Sequence, residues 1–179
     1  MFENTTNKIG ERLVERGHTV SIAESSTGGL ISANLLSVAG ASQFFLGGSV
    51  VYTLASRRVY LDLDREKLKG LKPLTEAMVL EFAASARAKL NATWGIAELG
   101  AAGPAGTPYG HGPGVSVIGV VGPKSASRTI ETGSSNRIEN MNAFTKAGLE
   151  LLAEVLGVGI DRRVPIGGVI SVLSSSSIA

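Results

Sequence analysis

The sequence contains no cysteine, which excludes disulfides, a thiolate nucleophile and a thiolate-held metal. A reducing compartment tolerates such a chain, and the cytoplasm is its expected location. Only two histidines occur, His18 and His111. With no carboxylates clustered beside them, neither a zinc site nor any other metal site is expected. No uncharged apolar run approaches the roughly 18 residues of a membrane-spanning helix. The opening MFENTTNKIGERL also lacks the apolar stretch of a signal peptide, so no membrane association is expected. Charge of one sign is scarce too: 17 basic residues against 15 acidic ones leave a net charge of +2. No basic stripe is interleaved with aromatics, and a nucleic-acid partner is not expected.

What is present is a chain of 179 residues, 44% hydrophobic and 18% charged. That is enough for one globular domain with a large core. Asn4 to Arg16 carries Ile9, Leu13 and Val14 on one helical face, and Gly17 ends it. His18 to Ala23 reads as a first strand, and Gly28 to about Ser37 as a second helix. Gly40-Ala41-Ser42 is a turn, Gly47-Gly48 a break, and Ser49 to Tyr52 a second strand. Ser56 to Tyr60 begins a short helix or turn, and Asp62 to Leu71 reads as charged and irregular. Thr75 caps a helix that runs to about Leu90. Thr93 to Ala97, Val115 to Val121 and Ser127 to Glu131 are three further strands. A Gly/Pro-rich loop, Gly100 to Gly106, follows the first of them. Arg137 opens a last helix reaching about Leu156, with Ile138, Met141 and Phe144 among its apolar positions.

Helices alternating with strands predict an α/β fold, a three-layer α/β/α sandwich around a mainly five-stranded sheet. Residues 1–157 form the domain. Residues 158–179 form an apolar tail, either an added strand or a partner contact. Ligands of such sheets bind beyond the carboxyl ends of the strands, where the Ser25 turn and the Gly100 loop would both lie.

The stretch Val20 to Ser32, VSIAESSTGGLIS, is the chemical centre of the chain. A strand, a Ser/Thr/Gly turn and a helix start place N–H groups and the positive end of a helix dipole together, a place for a phosphate or an oxyanion. Ser25 and Ser26 read as a nucleophile and a phosphate or oxyanion donor. Ser25, Ser26 or Thr27 would equally serve as a helix cap. Tyr52 ends a strand and would project its phenol toward the same rim, or stay half-buried with a water. Arg57 and Arg58 suit a phosphate or plain solvation, and so does Arg137 at its helix start. The loop Gly100-Ala101-Ala102-Gly103-Pro104-Ala105-Gly106 is neither a Walker A nor a dinucleotide fingerprint. It reads as backbone brought close to a ligand, or as an ordinary connection.

Ala23-Glu24-Ser25-Ser26-Thr27-Gly28-Gly29 resembles the A-E-S-C-T-G-G signature of the CinA C-terminal domain family, whose active members are nicotinamide mononucleotide deamidases. The resemblance continues through Gly40-Ala41-Ser42, Phe45, Gly48 and Tyr52. It resumes at Leu74-Thr75-Glu76, at Gly100-Ala101-Ala102-Gly103-Pro104 and at the turn before Arg137. It covers roughly residues 5–157. Longer members carry a further N-terminal domain. The resemblance implies hydrolysis of the carboxamide of a small-molecule nucleotide, nicotinamide mononucleotide, without a cofactor and in a homo-oligomer. It implies a catalytic serine at Ser25, a tyrosine at Tyr52 and a lysine where this chain has Arg57. Glu24, Ser26, Thr27, Gly28, Gly29, Ser42, Gly100, Gly103 and Arg137 are the residues expected to hold substrate.

The departure at Arg57 carries the most weight. A lysine acting as a base near neutrality must fall by about 3 pKa units, roughly 4 kcal/mol, whereas an arginine would need about 6 units, roughly 8 kcal/mol. Arg57 therefore does not replace a neutral lysine; it would supply positive charge beside Tyr52 or bind phosphate. Ser26 in place of cysteine and Leu99 in place of a family serine are milder departures. Two readings remain open: an amidohydrolase, in which Ser25 attacks and Tyr52 relays the proton, and a nucleotide-binding or regulatory module without turnover.

Overall fold

The strand β1 (Val20–Glu24) is buried at all five positions, because it lies inside a sheet covered on both faces. The computed structural model describes residues 2–159; the Val164–Leu173 segment of the apolar tail lies outside the described residues. Five strands run in the order β2-β1-β3-β4-β5. The flanking strands β2 (Phe45–Val50) and β3 (Trp94–Ala101) are both parallel to β1. Beyond them β4 (Val115–Val121) pairs antiparallel with β3, and β5 (Ala126–Glu131) antiparallel with β4.

Helices α1 (Glu3–Glu15), α2 (Leu30–Leu36) and α6 (Arg137–Val155) cover one face. Their core joins Ile9, Leu13, Ile31 and Phe144 to Ile22 and Ile96 of the sheet. On the other face α5 (Glu76–Lys89) packs Val79, Phe82 and Ala83 against Ala23, Ala97 and Leu99. Gly95 lets α5 settle directly on β3, since a Cβ there would strike the Ala83 carbonyl. Thr75 caps α5, its Oγ1 accepting from the Met78 N–H at 3.4 Å. The three-layer α/β/α sandwich expected from the sequence is the observed fold.

Several boundaries differ. Gly47 and Gly48 do not break the chain but lie inside β2. Gly48 is required there because a Cβ would collide with Ser32 of α2. Tyr52 consequently stands past the strand end. The short helix α3 (Leu54–Tyr60) follows, held by a Thr53–Ser56 capping box. A one-turn helix, α4 (Arg65–Leu68), occupies part of the stretch read as irregular, with Asp64 as its cap. β3 runs on to Ala101, so Gly100 is strand rather than loop. Ile138, read as a core position, is 65% exposed.

Candidate active site

At the carboxyl end of β1 the chain turns through Ser25 to Gly29 into α2. Gly28 and Gly29 take φ values of +65° and +102°, a left-handed path that favours glycine. The helix start is not open to a ligand. The buried carboxylate of Glu24 folds back over it and accepts from the backbone N–H groups of Gly29 (3.1 Å), Ile31 (2.9 Å) and Ser32 (2.8 Å). The hydroxyls of Ser32 (2.6 Å) and Thr27 (2.7 Å) complete its shell. An acid of the chain itself thus takes the place expected for a phosphate or oxyanion. Glu24, Ser26, Thr27, Gly28 and Gly29 therefore shape the turn and do not line the cleft.

A residue that sequence reasoning missed lies beneath that turn. Glu98 of β3 stands in register beside Glu24 and is fully buried. It accepts from Ser26 Oγ, from Ser116 Oγ at 3.0 Å, and from the N–H groups of Ser25 (3.2 Å) and Thr27 (3.0 Å). Burial raises the pKa of its carboxyl above the ordinary glutamate range, while the hydrogen bonds from Ser26, Thr27 and Ser116 pull the other way. The one signal in the sequence is a lone acid inside the apolar run Trp94 to Ala101.

Above the turn a cleft of about 300 Å³ opens. Four separate segments line it: the β1–α2 turn with Ser25, residues 52–57 with Tyr52 and Arg57, residues 100–109 with Tyr109 near their end, and the start of α6 with Arg137. Gly100 and Gly103 line it with backbone. The Ser25 hydroxyl has no hydrogen-bond partner among the described residues, although its backbone N–H is held by Glu98. Arg137 reaches across to Tyr52, with Nη2 3.5 Å from the phenol oxygen and the guanidinium 5.8 Å from the ring centre. Its Nη1 donates to the Gly103 carbonyl at 2.9 Å.

The cation against the Tyr52 phenol is therefore Arg137, not Arg57 as the sequence suggested. Arg57 instead donates from Nε to the Val51 carbonyl at 3.1 Å and lies 5.3 Å over the Phe82 ring. Partial burial lowers its pKa from the usual arginine value, and the nearby Tyr109 and Glu98 raise it in part. The guanidinium remains charged.

The loop after β3 is held from α6: Asn140 Nδ2 donates to the Ala102 carbonyl at 2.8 Å, beside the Arg137 bond to Gly103. Among the described residues the N–H groups of Ala102 and Gly103 have no acceptor, and both residues line the cleft. The same holds for Ala105 and Gly106, so this loop carries backbone donors without a protein acceptor along the cleft wall. Ser42 lies elsewhere, exposed in a turn ahead of β2, at the opposite end of the parallel strands. His18 accepts from Trp94 Nε1 at 3.1 Å, and His111 pairs with Thr107 Oγ1 at 3.2 Å. No group of three or more His, Cys, Asp or Glu side chains among the described residues is placed to hold a metal.

A serine, two phenols and two guanidiniums line a cleft beyond the carboxyl ends of the parallel strands of an α/β domain, the place where such sheets commonly take ligands. The chain belongs to the CinA C-terminal domain family, whose model matches residues 2–156. A CinA-like protein of Prochlorococcus marinus (strain MIT 9301) is 36% identical over 149 residues, covering 82% of this chain and 35% of that protein. A second, from Acaryochloris marina, is 35% identical over 122 residues, 68% of this chain and 29% of that protein. The chain thus spans about a third of the length of the curated relatives it matches. A CinA superfamily protein of Enterobacter cloacae superposes with a TM-score of 0.80 at 27% identity, over 87% of this chain and 92% of that one. The Klebsiella pneumoniae member, at 23% identity and a TM-score of 0.80 over 88% of this chain and 98% of that one, shares the fold.

Proposed function

We propose that this chain hydrolyses the carboxamide of nicotinamide mononucleotide, giving nicotinic acid mononucleotide and ammonia. The supporting observation is the cleft, which brings an unbonded serine hydroxyl together with two phenols, two guanidiniums and backbone N–H groups that lack a protein acceptor among the described residues. Ser25 Oγ attacks the carboxamide carbon, and Tyr52 relays the serine proton to the departing nitrogen. Ammonia leaves, and water cleaves the acyl-serine, returning a proton to Ser25. The oxyanion meets the N–H groups of Ala102 and Gly103, a contribution of about 3–4 kcal/mol for a well-placed donor. Arg137 orients the phenol, and Arg57 receives the 5′-phosphate as a fixed cation. Such a substrate places the reaction in the cytoplasm.

Arg57 also favours a second reading, a nucleotide-binding or regulatory module without turnover, because a guanidinium does not act as the base that a neutral lysine would. Ammonia release by the purified chain, with Ser25→Ala as control, separates the two. Turnover lost in the variant supports the hydrolase, whereas ligand-induced thermal stabilisation without ammonia supports the binding module. An Arg57→Lys variant with sharply higher turnover would identify that position as the limiting one. We also propose a homo-oligomer. The support is α3, which has no buried residue and exposes Leu54, Val59 and Tyr60. A monomer mass in analytical ultracentrifugation would refute it.

A further inference from the structure

Beneath the turn that carries Ser25 to the cleft lies a buried acid that the proposed chemistry leaves unused. Glu98 lies two residues before Gly100, and a Cβ added at Gly100 would run into both Glu98 Oε1 and Ser26 Oγ. These atoms therefore press against the backbone that lines the cleft. Three consecutive residues are tied to this one side chain: Ser25 and Thr27 by their N–H groups, at 3.2 and 3.0 Å, and Ser26 by its hydroxyl. The Ser25 N–H also reaches the Glu98 carbonyl at 3.1 Å. Ser116 of β4 holds the carboxyl from the far side at 3.0 Å.

We infer that Glu98 is the positioning residue of this site: its carboxyl clamps the Ser25–Thr27 turn from the sheet and fixes how Ser25 presents its hydroxyl. The inference rests on Ser25 as the nucleophile. Glu24 holds the Gly29 end of the turn, and Glu98 is what holds the Ser25 end, where the Ser25 hydroxyl itself is not bonded. Around the acid stand Glu24 from β1, Arg57 from α3 as a more distant charge, and the neutral Ser116 and Phe144 from β4 and α6. Glutamine at this position would keep one oxygen to accept both N–H groups, and its amide would donate to the hydroxyls of Ser26 and Ser116. Valine would keep none of these bonds.

The full chain and its Glu98→Gln and Glu98→Val variants are compared by amide hydrogen exchange and by ammonia release from nicotinamide mononucleotide. Glu98→Val should exchange at least tenfold faster at Thr27, and faster at Ser25 by less because its bond to the residue 98 carbonyl remains, while Ile22 and Ile96 stay unchanged. Its kcat should fall at least 30-fold with KM within threefold. Glu98→Gln should return both readouts to within about fivefold of the parent. Unchanged exchange at Ser25 and Thr27 in Glu98→Val, or a raised KM with kcat intact, would overturn the inference. If the parent chain releases no ammonia, the deamidase reading fails and exchange alone decides the clamp. If Glu98→Val does not fold, Ser116→Ala decides it, since it removes a partner of Glu98 outside the turn and the cleft. At least threefold faster exchange at Ser25 and Thr27 then supports the clamp, and parental exchange rejects it.

Discussion

At the scale of single residues, the serine and the acid beneath it should behave in opposite ways. Ser25 is tied by its backbone and not by its hydroxyl, so Ser25→Ala should change stability by no more than about 0.5 kcal/mol. The same variant should lower ammonia release by roughly 10³-fold or more, as loss of a nucleophile does. Thermal denaturation and a single-turnover assay check the pair. Glu98 should show itself in pH dependence. Its pKa lies higher in the folded chain than in the unfolded one, so on rising pH the unfolded chain releases this proton first. The stabilisation from this group is full below about pH 4.5 and is lost as pH rises through the folded value. The melting temperature of Glu98→Gln, taken relative to the parent, should therefore climb as pH rises above about 4.5. A difference independent of pH would show that Glu98 does not titrate as described.

At the scale of elements, the turn into α2 depends on Glu24. Five donors converge on that one carboxylate, and glutamine would set an amide against several of them. Glu24→Gln should cost about 2–4 kcal/mol by chemical denaturation, the range for disrupting buried hydrogen bonds to a charged group. Elements also show how far a sequence can be read. β4 was legible from end to end, because an apolar run bounded by Gly114 and Gly122 has one natural length. β2 was not, since Gly47 and Gly48 look like a break unless Ser32 is known to press on the strand there. The short helix α4 was hidden in a charged stretch whose helix signal, the Asp64 cap, is local and weak.

At the scale of the whole molecule, the cleft is an assembly of four chain segments, and no spacing rule could bring them together. Tyr52 and Arg137, 85 positions apart, were placed at one site by resemblance to a family and not by periodicity. Glu98 was invisible for the converse reason: one acid in an apolar strand says nothing about which hydroxyls the fold will set around it. The separate origins of these segments make the cleft sensitive to the packing behind it. Phe144 of α6 lies in the core beneath Gly100, and Phe144→Ala should cost about 3–5 kcal/mol. Calorimetry with nicotinamide mononucleotide at about 100 times its Kd should then regain about 2.7 kcal/mol if the folded chain binds it. No shift on adding the nucleotide would show that the folded chain does not bind it.

Thr27 sits with its Oγ1 2.7 Å from Glu24 and 3.1 Å from Glu98. A hydroxyl carries a single hydrogen, so it satisfies one acid at a time, and the shorter approach is to Glu24. A buried threonine thus stands between two buried acids and donates to the nearer, the one already wrapped by helix amides. Trading that hydroxyl for a methyl group would leave the shape of the turn intact and remove that donor.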